Sequence, residues 1–183
     1  MNRTTTGHAL LIIDMINPFH FKHGELLMKH TEEMLSPLLE LKKRASAHNV
    51  PIIYINDHYN LWQADYSRII SHCRNSANEQ ILSRIIPSAD DYFLIKPKHS
   101  AFYGTALQTL LNQLSVKKLI LTGIAGNICV LFTANDAYMR EYTLFCPADC
   151  IASASREDNR YALTMMENVL KADTGPQAGI SFS

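Results

Sequence analysis

Apolar residues in this chain follow two rhythms that alternate along its length. "HALLIID" at 8–14, "PIIYIN" at 51–56 and "KKLILTG" at 117–123 hold short, nearly continuous apolar runs, the pattern of strands buried on both faces. "YFLIK" at 92–96 and "YTLFCP" at 142–147 read as two more strands, and "AGISF" at 178–182 as a sixth. Between them lie segments with helical spacing. "TEEMLSPLLELKKRASAHN" at 31–49 carries Met34, Leu35, Leu38, Leu39 and Leu41 on one helical period. Pro37 sets the start of that helix at Ser36, because proline suits the first helical position and not the interior. "SANEQILSRIIP" at 76–87 predicts a helix that stops before Pro87, and "TALQTLLNQL" at 105–114 one that aligns Leu107, Leu110, Leu111 and Leu114. "ICVLFTANDAYMRE" at 128–141 predicts another, and Ser155 reads as the N-cap of a last helix ending near Leu170.

Strand and helix in alternation are the pattern of parallel βαβ units with right-handed crossovers. The expectation is a single three-layer α/β domain over 1–183, a mostly parallel six-stranded sheet with helices on both faces. Residues 1–7, "MNRTTTG", are expected to be flexible.

Composition narrows the class of partner. Lys plus Arg and Asp plus Glu number 17 each, with no basic run, which disfavours nucleic acid and anionic membranes. The apolar run "ALLII" at 9–13 is too short for a membrane span or a signal-peptide core. Cys73, Cys129, Cys146 and Cys150 lack the spacing of a zinc site or a disulfide framework, so we expect reduced thiols and a cytoplasmic protein. A small molecule is then the default partner.

In parallel sheets, ligands collect beyond the carboxyl ends of the strands. That rule singles out Asp14, Asn56 to His58, Lys96, and the loop from Gly123 to Cys129. Asn127 reads as an N-cap, which puts Cys129 in the first turn of a helix. There the helix dipole and a nearby cation lower a thiol pKa from about 8.5 toward about 7. Cysteine is also a common core residue, so position alone leaves packing and chemistry open. Asp14 alone fits a carboxylate that holds the turn marked by Asn17-Pro18. Lys96 and Lys98, two apart in an extended segment, point to one side, and either alone fits a solvated lysine. Taken together, a thiol, a carboxylate and an amine at neighbouring strand ends supply a nucleophile, its base and a stabilising cation.

"ALLIIDMINPF", "IKPKHSAFYGTAL" and "LTGIAGNICVLFTANDAY" resemble the three signature segments of the isochorismatase-like cysteine hydrolases, in that family's order. That superfamily includes nicotinamidases and N-carbamoylsarcosine amidases, and the resemblance spans nearly the whole chain. It implies Asp14 as general base, Lys96 rather than Lys98 as the assisting cation, and Cys129 as nucleophile. It also implies a cis peptide between Ile124 and Ala125, with the Ala125 and Cys129 amides forming an oxyanion hole. The implied activity is hydrolysis of a small carboxamide or ureido C–N substrate through a thioester. The alternatives are a vinyl-ether hydrolase of the isochorismatase type and a non-catalytic, thiol-reactive binding protein. Relatives commonly form dimers or tetramers, so a homo-oligomer is implied.

Two departures from the family pattern matter. Nicotinamidases carry Asp-x-His and a second His for a metal, whereas here Asn56, Asp57 and His58 are consecutive and the next histidine is His72. No metal and no other cofactor are therefore expected. Gly126 stands where many relatives have Thr, which removes a hydroxyl from the loop. Phe19, Tyr59, Trp62, Phe102 and Tyr103 are the candidates for an aromatic pocket wall.

Overall fold

Side chains of a strand buried on both faces must find two apolar layers, and the sheet of this protein does so. The structure, a computed structural model, describes residues 7–182. Residues 1–6 of the segment expected to be flexible, and residue 183, lie outside the described residues. Six strands make one sheet: β1 (His8–Ile13), β2 (Ile52–Asp57), β3 (Tyr92–Lys96), β4 (Lys118–Ile124), β5 (Thr143–Phe145) and β6 (Ile151–Ala152). The order is β3-β2-β1-β4-β5, with β6 also pairing with β4, and every pairing is parallel.

Alternation along the strands divides the core. Leu10, Ile12, Ile52, Tyr54 and Ile120 pack with Leu27, Met34, Leu35, Leu38 and Leu41 of the long helix α1 (Gly24–Ala47). Ala9, Leu11, Ile13, Ile53, Ile55, Leu119 and Leu121 face the other way, onto α4 (Leu107–Gln113), α5 (Leu131–Tyr138) and α6 (Arg156–Asn168). Two short helices, α2 (Tyr66–Cys73) and α3 (Glu79–Ile85), fill the stretch between β2 and β3. Asp65 caps α2 by accepting from the Ser67 and Arg68 amides. Among the described residues no helix is long and apolar enough to cross a membrane.

Three elements differ from the sequence reading. Helix α1 begins at Gly24 rather than Ser36 and carries Pro37 in its interior. An interior proline costs about 3 kcal/mol, and the buried stripe from Leu27 to Ala45 spans both sides of it and offsets that cost. The helix expected from residue 128 becomes a wide π-type turn, Gly126–Val130, followed by α5. The sixth strand is Ile151–Ala152 and not 178–182. Arg44 holds that terminal segment instead, donating to the Gln177 and Ile180 carbonyls, so these carbonyls bind a guanidinium rather than a neighbouring strand.

Register then places the candidate residues. Ile13 pairs with Gly123 and Asp57 with Lys96, so the carboxyl ends of β1, β4, β2 and β3 finish side by side. Gly123 has φ +110°, and a Cβ there would collide with the Ile13 backbone, so only glycine allows β4 to turn out so close to β1.

Candidate active site

Asp14 follows β1 directly, Lys96 ends β3, and Cys129 lies in the turn after β4. The fold brings these three side chains together. Lys96 Nζ is 2.8 Å from Asp14 Oδ2 and 3.5 Å from Cys129 Sγ. Its third partner is the Lys98 carbonyl at 3.2 Å. Lys98 itself is exposed, which separates the two lysines that the extended spacing left equivalent. Asp14 adopts φ 52°, and its Oδ1 accepts from the Asp57 amide at 2.9 Å. The carboxylate is thus held from both sides, by β2 through a backbone amide and by β3 through an ammonium.

Burial governs the protonation states. It pushes the Asp14 carboxyl above its usual value, opposed by the Lys96 charge and by hydrogen bonds from Cys129, Lys96 and Asp57. Burial also pulls at Lys96, but the charges of Asp14 and Cys129 outweigh it and hold the ammonium above its ordinary value. The Cys129 thiol is pushed up to about 12, by burial first and the Asp14 charge second, with Lys96 opposing. This reverses the expectation of a thiol lowered toward neutrality. The turn start and the cation are present, but the sulfur is more deeply desolvated than its sequence position suggests. Burial thus favours the uncharged form of both the thiol and the carboxyl, while the Asp14 charge favours the ammonium.

The loop before the cysteine has its own support. The Ile124–Ala125 peptide is cis. Asn127 does not cap a helix with its side chain; its backbone amide donates to Ser153 Oγ at 3.0 Å, and Ser153 Oγ donates in turn to Asn159 Oδ1 at 2.7 Å. A Cβ at Gly126 would overlap Asn159 Oδ1, Ile151 Cγ2 and Ser153 Oγ. Gly126 is therefore where β6 and α6 press against the loop, so its lack of a side chain is a packing requirement, beyond the loss of a hydroxyl. Ser153 and Asn159 went unassigned in the sequence because neither stands at a strand end facing the thiol. The available signal was the N-cap at Ser155, which fixes Ser153 just before α6 and Asn159 in its first turns.

His99 is a second neighbour of the sulfur that the strand-end rule passed over. Its Nδ1 lies 4.0 Å from Cys129 Sγ, and its ring packs against Phe132 with centroids 5.5 Å apart. It stands three residues past Lys96, in the segment that leaves β3.

The aromatic candidates scatter. Phe102 is buried, its ring near Tyr142 and under the Arg140 guanidinium. Phe19 is buried and borders a groove of about 650 Å³ with His20, Phe21 and His23, a groove that Asp14, Lys96 and Cys129 do not line. Tyr103 and Trp62 are exposed, Trp62 stacking on His58 with centroids 4.0 Å apart. Tyr59 spends its hydroxyl on the Ile16 carbonyl.

The polar side chains at the end of β2 and just after it are engaged with backbone and aromatic neighbours. Asn56 uses Oδ1 and Nδ2 on the backbone of Ile16. Asp57 Oδ1 accepts from the Tyr59 amide and His58 Nδ1 from the Asn60 amide, while the His72 ring lies near Tyr59. Among the described residues no three His, Cys, Asp or Glu side chains gather as a metal site.

The chain is similar to known proteins in sequence and in fold. The Isochorismatase domain model matches residues 8–174. Isochorismatase family protein YaaI of Bacillus subtilis (strain 168) is 62% identical over 165 residues, covering 90% of this chain and 91% of that protein. Enterobactin synthase component B of Escherichia coli (strain K12) is 30% identical over 162 residues, which cover 85% of this chain. That match covers 56% of the relative, so the chain spans little more than half its length. The crystal structure of N-carbamoylsarcosine amidase from Thermoplasma acidophilum is similar at a TM-score of 0.75 and 27% identity, over 95% of this chain and 98% of that one. This chain belongs to the isochorismatase family of hydrolases.

Proposed function

We propose that this protein is a cysteine amidase acting on a small carboxamide or ureido C–N bond. The observation that carries the reading is Lys96 Nζ, within reach of both Asp14 Oδ2 and Cys129 Sγ. A nucleophile, an acceptor for its proton and a cation for the resulting thiolate are what acyl transfer to sulfur requires. Asp14 takes the Cys129 proton, and Lys96 stabilises the charge that moves onto sulfur. The thiolate adds to the amide carbon, and the amides of Ala125 and Cys129 hold the oxyanion, a role that typically contributes about 3–4 kcal/mol per donor. Collapse expels the amine and leaves a thioester, which water cleaves. Burial and the Asp14 charge disfavour the thiolate, so its formation is coupled to passage of the proton to Asp14.

The likeness to an N-carbamoylsarcosine amidase supports the C–N class. The likeness to Enterobactin synthase component B keeps a second reading, vinyl-ether hydrolysis of the isochorismatase type, in which Asp14 acts as an acid and Cys129 is dispensable. Exposed Phe132 on α5, Met165 on α6 and Val169 just after α6 support assembly into a homodimer or tetramer, read by mass in solution. Four unpaired cysteines support a reducing, cytoplasmic setting. The test is release of ammonia or amine from a panel of small carboxamides and ureido acids. Turnover that vanishes in Cys129→Ala and Asp14→Asn supports the amidase. Pyruvate release from isochorismate that persists in Cys129→Ala supports the second reading.

A further inference from the structure

We infer that Ser153 and Asn159 are positioning residues for acyl transfer: acting as a pair, they fix the Asn127 amide and with it the turn that presents the Ala125 and Cys129 amides to an oxyanion. This rests on the reading of Cys129 as nucleophile. Turns as wide as Gly126–Val130 are rare and short. On its inner side this one is closed by its own backbone, since the Ala125 carbonyl accepts from the Ile128 and Val130 amides at 3.0 and 3.2 Å. The Asn127 amide leaves the turn and donates to Ser153 Oγ at 3.0 Å. That bond ties the turn to the end of β6 and, through Asn159, to α6.

The pair works because its polarity is fixed. A serine hydroxyl has one proton to give. Ser153 gives it to Asn159 Oδ1 at 2.7 Å, which leaves only lone pairs for the Asn127 amide. The Asn159 amide is oriented by its other end, where Nδ2 donates to the Ile151 carbonyl at 3.2 Å. The Ser153 backbone is held separately from α1, with His30 Nδ1 2.8 Å from the Ser153 carbonyl. Ser153 is 1% exposed, and a deleted hydroxyl leaves less room than a water occupies, so the Asn127 amide would lose its acceptor outright. Gly126 allows the loop to sit this close, because a Cβ there would overlap both Asn159 and Ser153.

The step that depends on this geometry is addition to a carbonyl. As the C–S bond forms, the carbonyl π pair moves onto oxygen, and donors fixed in advance stabilise the charge that develops there. A turn released from Ser153 keeps its sulfur, its Asp14 and its Lys96, but no longer holds the two donor amides in one place. Thiolation by methyl methanethiosulfonate needs no such donors. There the thiolate attacks sulfur, an S–S bond forms, and methanesulfinate leaves with the pair of the broken S–S bond.

The experiment compares two reactions of Cys129 in wild type, Ser153→Ala, Asn159→Leu and Asn159→Asp. Acylation is followed by the nitrophenol burst from p-nitrophenyl acetate, and thiolation by the rate of methyl methanethiosulfonate addition, each assigned by mass of the Cys129 peptide. Ser153→Ala and Asn159→Leu are expected to slow acylation by about 10-fold or more while thiolation stays within about 2-fold of wild type. Asn159→Asp keeps the acceptor for the serine proton, so its acylation should stay within about 3-fold of wild type. The two Asn159 variants carry the comparison if Ser153→Ala does not fold. Unchanged acylation in Asn159→Leu overturns the assignment, as does an aspartate variant as slow as the leucine one. Equal losses in acylation and thiolation also overturn it, since the pair would then only hold the fold around the sulfur. If wild type carries no acetyl group on Cys129, the nucleophile reading fails, and the assignment with it.

Discussion

Lys96 Nζ lies 2.8 Å from Asp14 Oδ2, and the two side chains are 2% and 8% exposed. An ion pair this dry is held by its own completeness. Breaking it from one side leaves a buried charge without its counter-charge. Lys96→Met is expected to destabilise the fold by about 3 kcal/mol, read from the urea midpoint. Asp14→Asn combined with Lys96→Met removes both charges and should recover much of that loss. Equal stability of the single and double variants would deny that the two charges are coupled.

Labelling of Cys129 by iodoacetamide should move opposite to turnover. Asp14 raises the thiol pKa and Lys96 lowers it. Asp14→Asn therefore increases the thiolate fraction and speeds alkylation at pH 7.5, although it abolishes turnover by removing the proton acceptor. Lys96→Met slows alkylation. Peptide mass mapping resolves Cys129 from the three buried cysteines, and slower alkylation in Asp14→Asn would contradict this electrostatic account.

Gly126→Ala should damage the loop that carries Cys129. The added methyl meets Asn159, Ile151 and Ser153, and overpacking of this kind costs about 1–3 kcal/mol. Thermal melts should show the loss of stability, with kcat falling alongside as Asn127 is displaced from Ser153. Wild-type melting and kcat would mean that β6 and α6 yield freely at this point.

Stability should fall on the alkaline side. Burial pushes Cys73, Cys129 and Cys146 up to about 12, against 9.0 for an ordinary thiol. The unfolded chain thus releases these protons from about pH 9, while the folded chain keeps them to about pH 12. Between those limits the folded state binds more protons, so stability is full below pH 9 and lost as pH rises toward 12. The melting temperature is expected to hold between pH 7 and 8 and decline above 9. Replacing Cys146 by Ala should soften that decline.

The strand pattern was legible because five of the six strands are short apolar runs, and three of them, β1, β2 and β4, are buried on both faces. From those strand ends alone, Asp14, Lys96 and the cysteine loop could be listed. That list did not show that Asp14 is gripped by the Asp57 amide, or that burial pushes the thiol up rather than down, because both depend on neighbours far away in sequence. Pro37 misled by a local rule, since long-range packing of α1 outweighed one missing hydrogen bond. The segment 178–182 misled by composition, its Ile180 carbonyl and that of the preceding Gln177 being taken by Arg44. Ser153 and Asn159 act through register and packing, and no short motif marks them; His99 lies within a quoted signature segment, but only the turn after β4 brings the sulfur near it.

The central claim is that Cys129 carries the acyl group. Acid-quenching a reaction during steady turnover of a carboxamide substrate, followed by mass analysis of the Cys129 peptide, tests it most directly. The account predicts a mass increase equal to the acyl group, discharged by hydroxylamine and absent in Cys129→Ala, which turns nothing over. Undiminished turnover in Cys129→Ala, with no adduct on the wild-type peptide, would contradict it.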